Sequence, residues 1–217
     1  MNAKKKTTQQ APRVYVVANL KGGVGKSSIS ANLACLLAET KEVVAVDLDG
    51  RQGDLNRFAK LRNLESHIVS DAEVLVDLVN QLTQAGKDVV IDCPPGENPT
   101  TRVACYMADA VVMPVRPGAN DAAAIGRLMA MVKEIRQERD DLKVFSICNF
   151  YKNSTEAKSM VTLLQQMGVA TFVGKLWDRK DYSFAIGNGQ PVWEVAPGKP
   201  AAEEMRSLCE ALERMVA

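Results

Sequence analysis

A loop that wraps a polyphosphate must point consecutive backbone N–H groups at its ligand, and only glycine gives the chain that freedom without a colliding side chain. The stretch Asn19-Leu20-Lys21-Gly22-Gly23-Val24-Gly25-Lys26-Ser27-Ser28 meets this requirement. It follows the apolar run Val14 to Ala18 and precedes Ile29, Leu33, Leu36 and Leu37 at helical spacing, so it reads as the turn between a strand and a helix. In that position Lys26 would neutralise the β and γ phosphates, Ser27 would offer a hydroxyl to Mg²⁺, and the helix would aim its positive N-terminal end at the anion. A glycine-rich turn without a ligand would need none of these companions. The stretch therefore predicts a nucleotide site built from Lys21, Gly22, Gly23, Val24, Gly25, Lys26, Ser27 and Ser28.

Two further apolar runs end in carboxylates. Glu42 to Val46 leads into Asp47-Leu48-Asp49-Gly50-Arg51-Gln52-Gly53, and Asp88-Val89-Val90-Ile91-Asp92 leads into Cys93-Pro94-Pro95-Gly96. Ligands of α/β sheets gather beyond the carboxyl ends of the strands, so these acids are expected to face the phosphate loop. A hydrophobic strand closed by aspartate beside such a loop is the Walker B arrangement, which makes Asp92 a Mg²⁺ ligand, direct or through water. Asp47 joins Ser27 and Asp92 in the candidate metal set, and the alternation of an extended chain puts Asp47 and Asp49 on the same side.

The loop departs from G-x-x-x-x-G-K-[ST], because Leu20 stands at the first glycine position and a second lysine, Lys21, precedes the glycine pair. With K-G-G-V-G-K-S, the Asp47-to-Gly53 segment, Asp92-Cys93-Pro94-Pro95-Gly96 and Gly189-Gln190-Pro191-Val192-Trp193-Glu194, the chain resembles the ParA/MinD family of deviant Walker A ATPases. It is most like the short ParA partition ATPases that lack an N-terminal helix-turn-helix domain. The resemblance implies ATP and Mg²⁺ as cofactors and a homodimer in the ATP state. It implies that Lys21 reaches the partner's nucleotide, that Asp49 orients the attacking water, and that Asn149 lies near adenine. Catalysis would then rest on Lys21, Lys26 and Asp49. It further implies non-specific DNA binding, for which Lys175, Arg179, Lys180, Lys199 and Arg206 are the candidates. A centromere-binding or cargo-adaptor protein would stimulate hydrolysis, and the cargo would be a plasmid, a chromosome or another body. Gly50-Arg51 departs from the family's D-x-D-P-Q-G, while Gln52-Gly53 keeps its Q-G.

The 217 residues suit one α/β domain, and the alternation of strand-like and helix-like segments predicts a mostly parallel sheet with helices on both faces. Residues 1–12, with Lys4-Lys5-Lys6, have too little apolar content to fold alone and are expected to form a flexible basic tail ahead of a domain over 13–217. Helices are expected over Asp54–Leu61, Asp71–Gly86 with Val74 inward, from about Asp121 to Glu138, Ser154–Met167 and Ala201–Met215. Further strands are expected over Ala110–Val115, Lys143–Cys148 and Val169–Leu176. The net charge of +1 excludes neither a nucleic acid nor a protein partner. The five cysteines carry no C-x-x-C spacing and read as reduced core thiols. With no signal-like segment or membrane-length apolar run, a cytoplasmic protein is expected, and the resemblance implies association with the nucleoid. A membrane-surface ATPase of the MinD kind would need a basic amphipathic C-terminal helix, whereas Glu203, Glu204, Glu210 and Glu213 outnumber Arg206 and Arg214 here. A small-molecule phosphoryl-transfer enzyme would need a second substrate site, for which no motif is seen.

Overall fold

The structure is a computed structural model that describes residues 11–117, 121–152, 154–172 and 174–216. The Lys4-Lys5-Lys6 segment and the side chain of Asp121 lie outside the described residues. The first half of the chain gives β1 (Val14–Val17), α1 (Lys26–Leu37), β2 (Val43–Asp47), α2 (Asp54–Arg62), β3 (Ser66–Ile68), α3 (Ala72–Gln84) and β4 (Asp88–Asp92). The second half gives α4 (Pro99–Met107), β5 (Ala110–Val115), α5 (Asp121–Glu138), β6 (Lys143–Cys148), α6 (Thr155–Gln166), β7 (Ala170–Thr171), α7 (Lys180–Gly187), α8 (Val192–Val195) and α9 (Pro200–Val216).

The strands form one seven-stranded sheet in the order β3-β2-β4-β1-β5-β6-β7, with every pairing parallel. A parallel sheet needs crossovers that cover both faces, which is why β1, β2, β4 and β5 are apolar runs rather than alternating patterns. Period-two geometry still sorts their side chains. Val14 and Val16 enter a core with Leu75, Val79, Ile125, Leu128 and Leu164 of α3, α5 and α6, whereas Tyr15 and Val17 enter one with Ile29, Leu33, Leu208 and Leu212 of α1 and α9. Each fully buried aliphatic side chain contributes about 1.5–3 kcal/mol of transfer free energy, so these two layers hold β1 at the centre of the sheet. The phosphate loop thus springs from a fully buried strand at the centre of the sheet.

Several boundaries differ from the sequence expectation. Val74 in α3 is 54% exposed, so the inward stripe of that helix is Leu75, Val79 and Leu82. Among the described residues, the strand expected over Val169–Leu176 forms a ladder at Ala170–Thr171, with single backbone bonds from Phe172 to Ser146 and from Leu176 to Cys148 and a separate bridge from Trp177 to Tyr151. β3, α4, α7 and α8 had no counterpart in the sequence reading. All five cysteines are buried free thiols.

Candidate nucleotide-binding site

Parallel pairing brings three strand ends to one level. Val17 lies opposite Asp92, and Asp92 opposite Asp47, so the loop after β1 emerges beside both carboxylates. The loop turns into α1 through Gly25, whose φ of +91° is a left-handed conformation that favours glycine. A cavity of about 170 Å³ is bounded by Gly22, Gly23, Gly25, Lys26, Ser27 and Ser28 on one side and by Asp49, Gln52, Asp54, Asp92, Cys93 and Pro95 on the other. Two larger hollows, of about 690 and 450 Å³, lie along α4 and contain neither the loop glycines nor the strand-end acids. Volume does not mark the chemistry here; the convergence of polar groups does.

Lys26 is buried and donates from Nζ to the Lys21 carbonyl at 3.1 Å. Burial lowers its pKa, and Asp92 and Asp49 work against that shift. The result is a partly dehydrated cation at the mouth of a helix, an arrangement suited to an anion. Ser27 donates to Asp92 Oδ2 at 2.5 Å. Asp92 has its pKa pushed up to about 7, chiefly by burial, with the Ser27 hydrogen bond pulling down and the Asp47 charge pushing up. A divalent cation beside it would reverse the effect of burial. The hydroxyl of Ser27 and the carboxylate of Asp92 are hard oxygen donors of the kind Mg²⁺ takes. Among the described residues no three His, Cys, Asp or Glu side chains are grouped to hold a metal by themselves. A Mg²⁺ ion there fits a site completed by phosphate and water, as that ion commonly requires.

The two acids of the second strand end have different surroundings. Asp47 is buried, and its two oxygens accept from the backbone N–H of Asp49 at 2.9 Å and of Asn56 at 3.0 Å. Its carboxylate therefore fixes the Asp49 loop to the first turn of α2, and it does not line the cavity that contains Asp92. Asp49 does line it. Its Oδ1 accepts from Arg51 N at 3.2 Å and Gln52 N at 3.1 Å, and Gly53 N returns to the Asp49 carbonyl at 2.8 Å. The substituted Gly50-Arg51 pair thus closes a tight turn that holds Asp49 in the wall facing the phosphate loop.

Asn149, at the end of β6, packs under the loop rather than along the cavity. Its Nδ2 donates to the Val24 carbonyl at 2.8 Å, and its Oδ1 accepts from Phe150 N at 2.9 Å. Asn32 makes a comparable link that sequence reasoning missed. Buried in α1, it donates to the Ser28 carbonyl at 2.7 Å and accepts from Val192 N at 2.8 Å. The Gly189-to-Glu194 segment is tied a second time by Glu194, which accepts from both terminal guanidinium nitrogens of Arg62 at 2.5 and 2.7 Å. That segment therefore braces α1 and α2 from behind the site. Only an asparagine at a core position of α1 would have signalled this from sequence.

The five candidate DNA-contact residues of the C-terminal third are not brought to the cavity. Arg179 is bound by Glu204 at 2.6 Å, Lys199 lies 3.3 Å from Asp181, and Arg206 is held by Glu39 at 2.9 Å and covers the Trp193 ring. Lys175 is exposed over the Tyr151 ring at 4.1 Å, and Lys180 is exposed at the start of α7.

A sequence profile described as the CobQ/CobB/MinD/ParA nucleotide binding domain matches residues 15–192, which include all of the sheet but Val14 and every group of this cavity. The chain belongs to the ParA/MinD family of ATPases. As a member it is 31% identical over 206 residues to the maintenance of carboxysome distribution protein A of Halothiobacillus neapolitanus, covering 88% of this chain and 92% of that one. It is 27% identical over 234 residues to the chromosome-partitioning ATPase Soj of Thermus thermophilus, with 91% and 94% covered. The ParA/MinD fold is matched in the septum site-determining protein MinD of Pyrococcus horikoshii complexed with Mg-ADP, at a TM-score of 0.75 and 17% identity over 95% of this chain and 98% of that one.

Proposed function

We propose that this protein is a Mg²⁺-dependent ATPase that dimerises in its ATP state, binds DNA without sequence preference and distributes a cargo in the cell. The observation that carries the reading is the single cavity where loop backbone, Lys26, the Ser27–Asp92 pair and Asp49 converge. Two relatives named for carboxysome distribution and chromosome partitioning support a cargo that is either a protein body or DNA. An adaptor on that cargo would stimulate hydrolysis.

Bound Mg²⁺ would supply charge neutralisation at the β and γ phosphates. Ser27 and Asp92 would hold it, while Lys26 and the loop N–H groups bind the phosphates. Asp49 would orient water, and Lys21 would act across the dimer. Lys21 is half-buried, and its carbonyl already receives Lys26, so its backbone belongs to the loop while its long stem supplies reach. Lys21→Ala is expected to keep ATP binding within about threefold of wild type while losing ATP-driven dimerisation and turnover, because a remote transition-state contact is lost and the cradle is kept. Light scattering that found an ATP dimer in this variant would remove the trans role.

DNA contact of this kind goes to phosphates, so it is expected to be indifferent to sequence and steep in salt. Arg179 and Arg206 must give up carboxylate partners to bind a phosphate, whereas Lys175 and Lys180 face solvent and, among the described residues, form no ion pair. In a dimer each lysine-to-alanine change removes two contacts, so Lys175→Ala and Lys180→Ala should each lower the log–log salt slope by roughly 1.8, and Arg206→Ala by less. Duplex binding with a slowly hydrolysed ATP analogue across a salt series measures this. Unchanged slopes in both lysine variants would move the DNA surface elsewhere, and no binding by wild type at low salt would end the DNA reading.

The membrane alternative draws no support from α9. Its apolar residues Met205, Leu208, Leu212 and Val216 are buried against the sheet, and Glu213 is paired with Lys41. Among the described residues no helix is long and apolar enough to cross a membrane. Co-sedimentation with DNA or with anionic liposomes, with and without ATP, separates the two readings.

A further inference from the structure

Serine is a weaker helix former than alanine, and a serine hydroxyl in a helix interior usually satisfies itself on the carbonyl four residues back. Ser30 of α1 is fully buried and has that partner, the Lys26 carbonyl, at 3.1 Å. It has a second one. Its Oγ lies 3.2 Å from Asp92 Oδ1, while Ser27, one turn earlier on the same helix, donates to Asp92 Oδ2 at 2.5 Å. The two serines therefore grip the carboxylate by both oxygens, since residues three apart share a helix face.

What this grip does follows from the freedom Asp92 has left. Its backbone is fixed on both sides, because its carbonyl accepts Leu48 N at 2.9 Å and the next residue, Cys93, donates to Val17 O at 3.1 Å. Only the side-chain torsions remain. A single hydrogen bond at Oδ2 leaves the carboxylate plane able to turn about the Cβ–Cγ bond, since that torsion is broad. A second anchor at Oδ1 stops the turn. Ser27 lines the cavity and Ser30 does not, so Ser30 reaches the site only through Asp92.

We propose that Ser30 is a positioning residue for the Mg²⁺–nucleotide complex: by holding Asp92 Oδ1 it keeps Oδ2 directed at Ser27 and the cavity. The proposal rests on the reading of Ser27 and Asp92 as the residues that hold Mg²⁺. Partners that orient a ligand from behind typically change metal affinity by about 10–100-fold when removed. Ser30 has that relation to Asp92, and its hydroxyl carries only one hydrogen to divide between the carboxylate and the Lys26 carbonyl. The lower end of that range therefore applies.

The test is a Mg²⁺ titration of fluorescent ATP-analogue binding by wild type, Ser30→Ala and Ser30→Cys. Cysteine fills the space of serine but is a poor hydrogen-bond donor. Both variants are expected to need roughly tenfold more Mg²⁺ for half-saturation, with analogue binding in EDTA and the far-ultraviolet spectrum unchanged. Half-saturation within about twofold of wild type in Ser30→Ala would overturn the proposal, because an orienting partner should cost more. So would full recovery in Ser30→Cys, which would make volume rather than the hydrogen bond the cause. A wild type whose nucleotide binding ignores Mg²⁺ would overturn the metal reading itself, and the positioning role with it.

Discussion

Asp49→Ala is expected to lower ATP turnover by at least about 100-fold while leaving ATP affinity within a few-fold, so that the protein accumulates as an ATP-bound dimer. The asymmetry follows from where the side chain sits. Asp49 lines the cavity opposite the phosphate loop, and its Oδ1 is committed to the backbone N–H groups of Arg51 and Gln52. Among the described residues no hydrogen-bond donor is placed on Oδ2, which leaves that oxygen for a water. Phosphoryl transfer asks the protein mostly for position and charge, so a missing water anchor slows cleavage without loosening the grip on the phosphates. Asp47 provides the control. Its carboxylate holds the Asp49 and Asn56 N–H groups from a buried site, so Asp47→Ala should lower the unfolding temperature and loosen the turn as a whole. Single-turnover hydrolysis and size-exclusion in ATP separate the two cases. An Asp49→Ala protein that turns over within about threefold of wild type would place water orientation on another residue.

The strands that position the site were legible because burial on both faces writes them as apolar runs, two of which, β2 and β4, end in aspartate. The elements that escaped are those whose local signals are weak. β3 has three residues on the sheet edge, too few for any period. α4 contains Thr100, Thr101 and Val103, β-branched residues of low helix propensity, although Asn98 with Pro99 at the first turn was a start signal. α7, with Tyr182, Ser183 and Phe184 and a glycine at its end, has no apolar stripe to read. The strand expected over Val169–Leu176 was over-extended because β propensity mostly measures fit to a half-buried surface, and among the described residues Ala170–Thr171 form the ladder with β6 while Phe172 and Leu176 add single backbone bonds to Ser146 and Cys148.

The site divides in the same way. Gly25, Lys26, Ser27, Asp49 and Asp92, which the fold brings around one cavity, were readable as candidates because each stands in or beside a loop at a strand end. Asn32 and Ser30 were not, since each acts through a partner distant in sequence: Val192, 160 residues away, and Asp92, 62 residues away. The role of Asp47 turned on its partners too. The sequence offers Asp47 as a metal candidate on the same side as Asp49, but the fold of the Asp49 turn onto α2 commits the Asp47 carboxylate to backbone N–H groups and leaves Asp49 in the cavity wall.

Gly25→Ala is expected to weaken nucleotide binding by at least about 100-fold and to lower the unfolding temperature by several degrees, for two reasons that can be separated. The first is the backbone. At φ +91° a Cβ crowds the following carbonyl, a strain of roughly 1–2 kcal/mol that the loop can relieve only by redirecting its N–H groups away from the phosphate position. The second is a collision. A Cβ on Gly25 would lie 2.1 Å from Nδ2 of Asn149, which is buried and donates to the neighbouring Val24 carbonyl. Swinging Asn149 aside breaks that bond and leaves a buried carbonyl unsatisfied, at about 1–3 kcal/mol. The double variant Gly25→Ala/Asn149→Ala removes the collision and keeps the strain. Because it lacks the donor to the Val24 carbonyl as Asn149→Ala does, it should unfold below Asn149→Ala by the backbone strain alone, a smaller loss than Gly25→Ala causes in wild type. It should regain little of the nucleotide affinity. Analogue titration and thermal unfolding of wild type and the three variants read the two terms apart. A Gly25→Ala protein that binds nucleotide within about threefold of wild type would mean that the loop does not need its left-handed turn to hold phosphate.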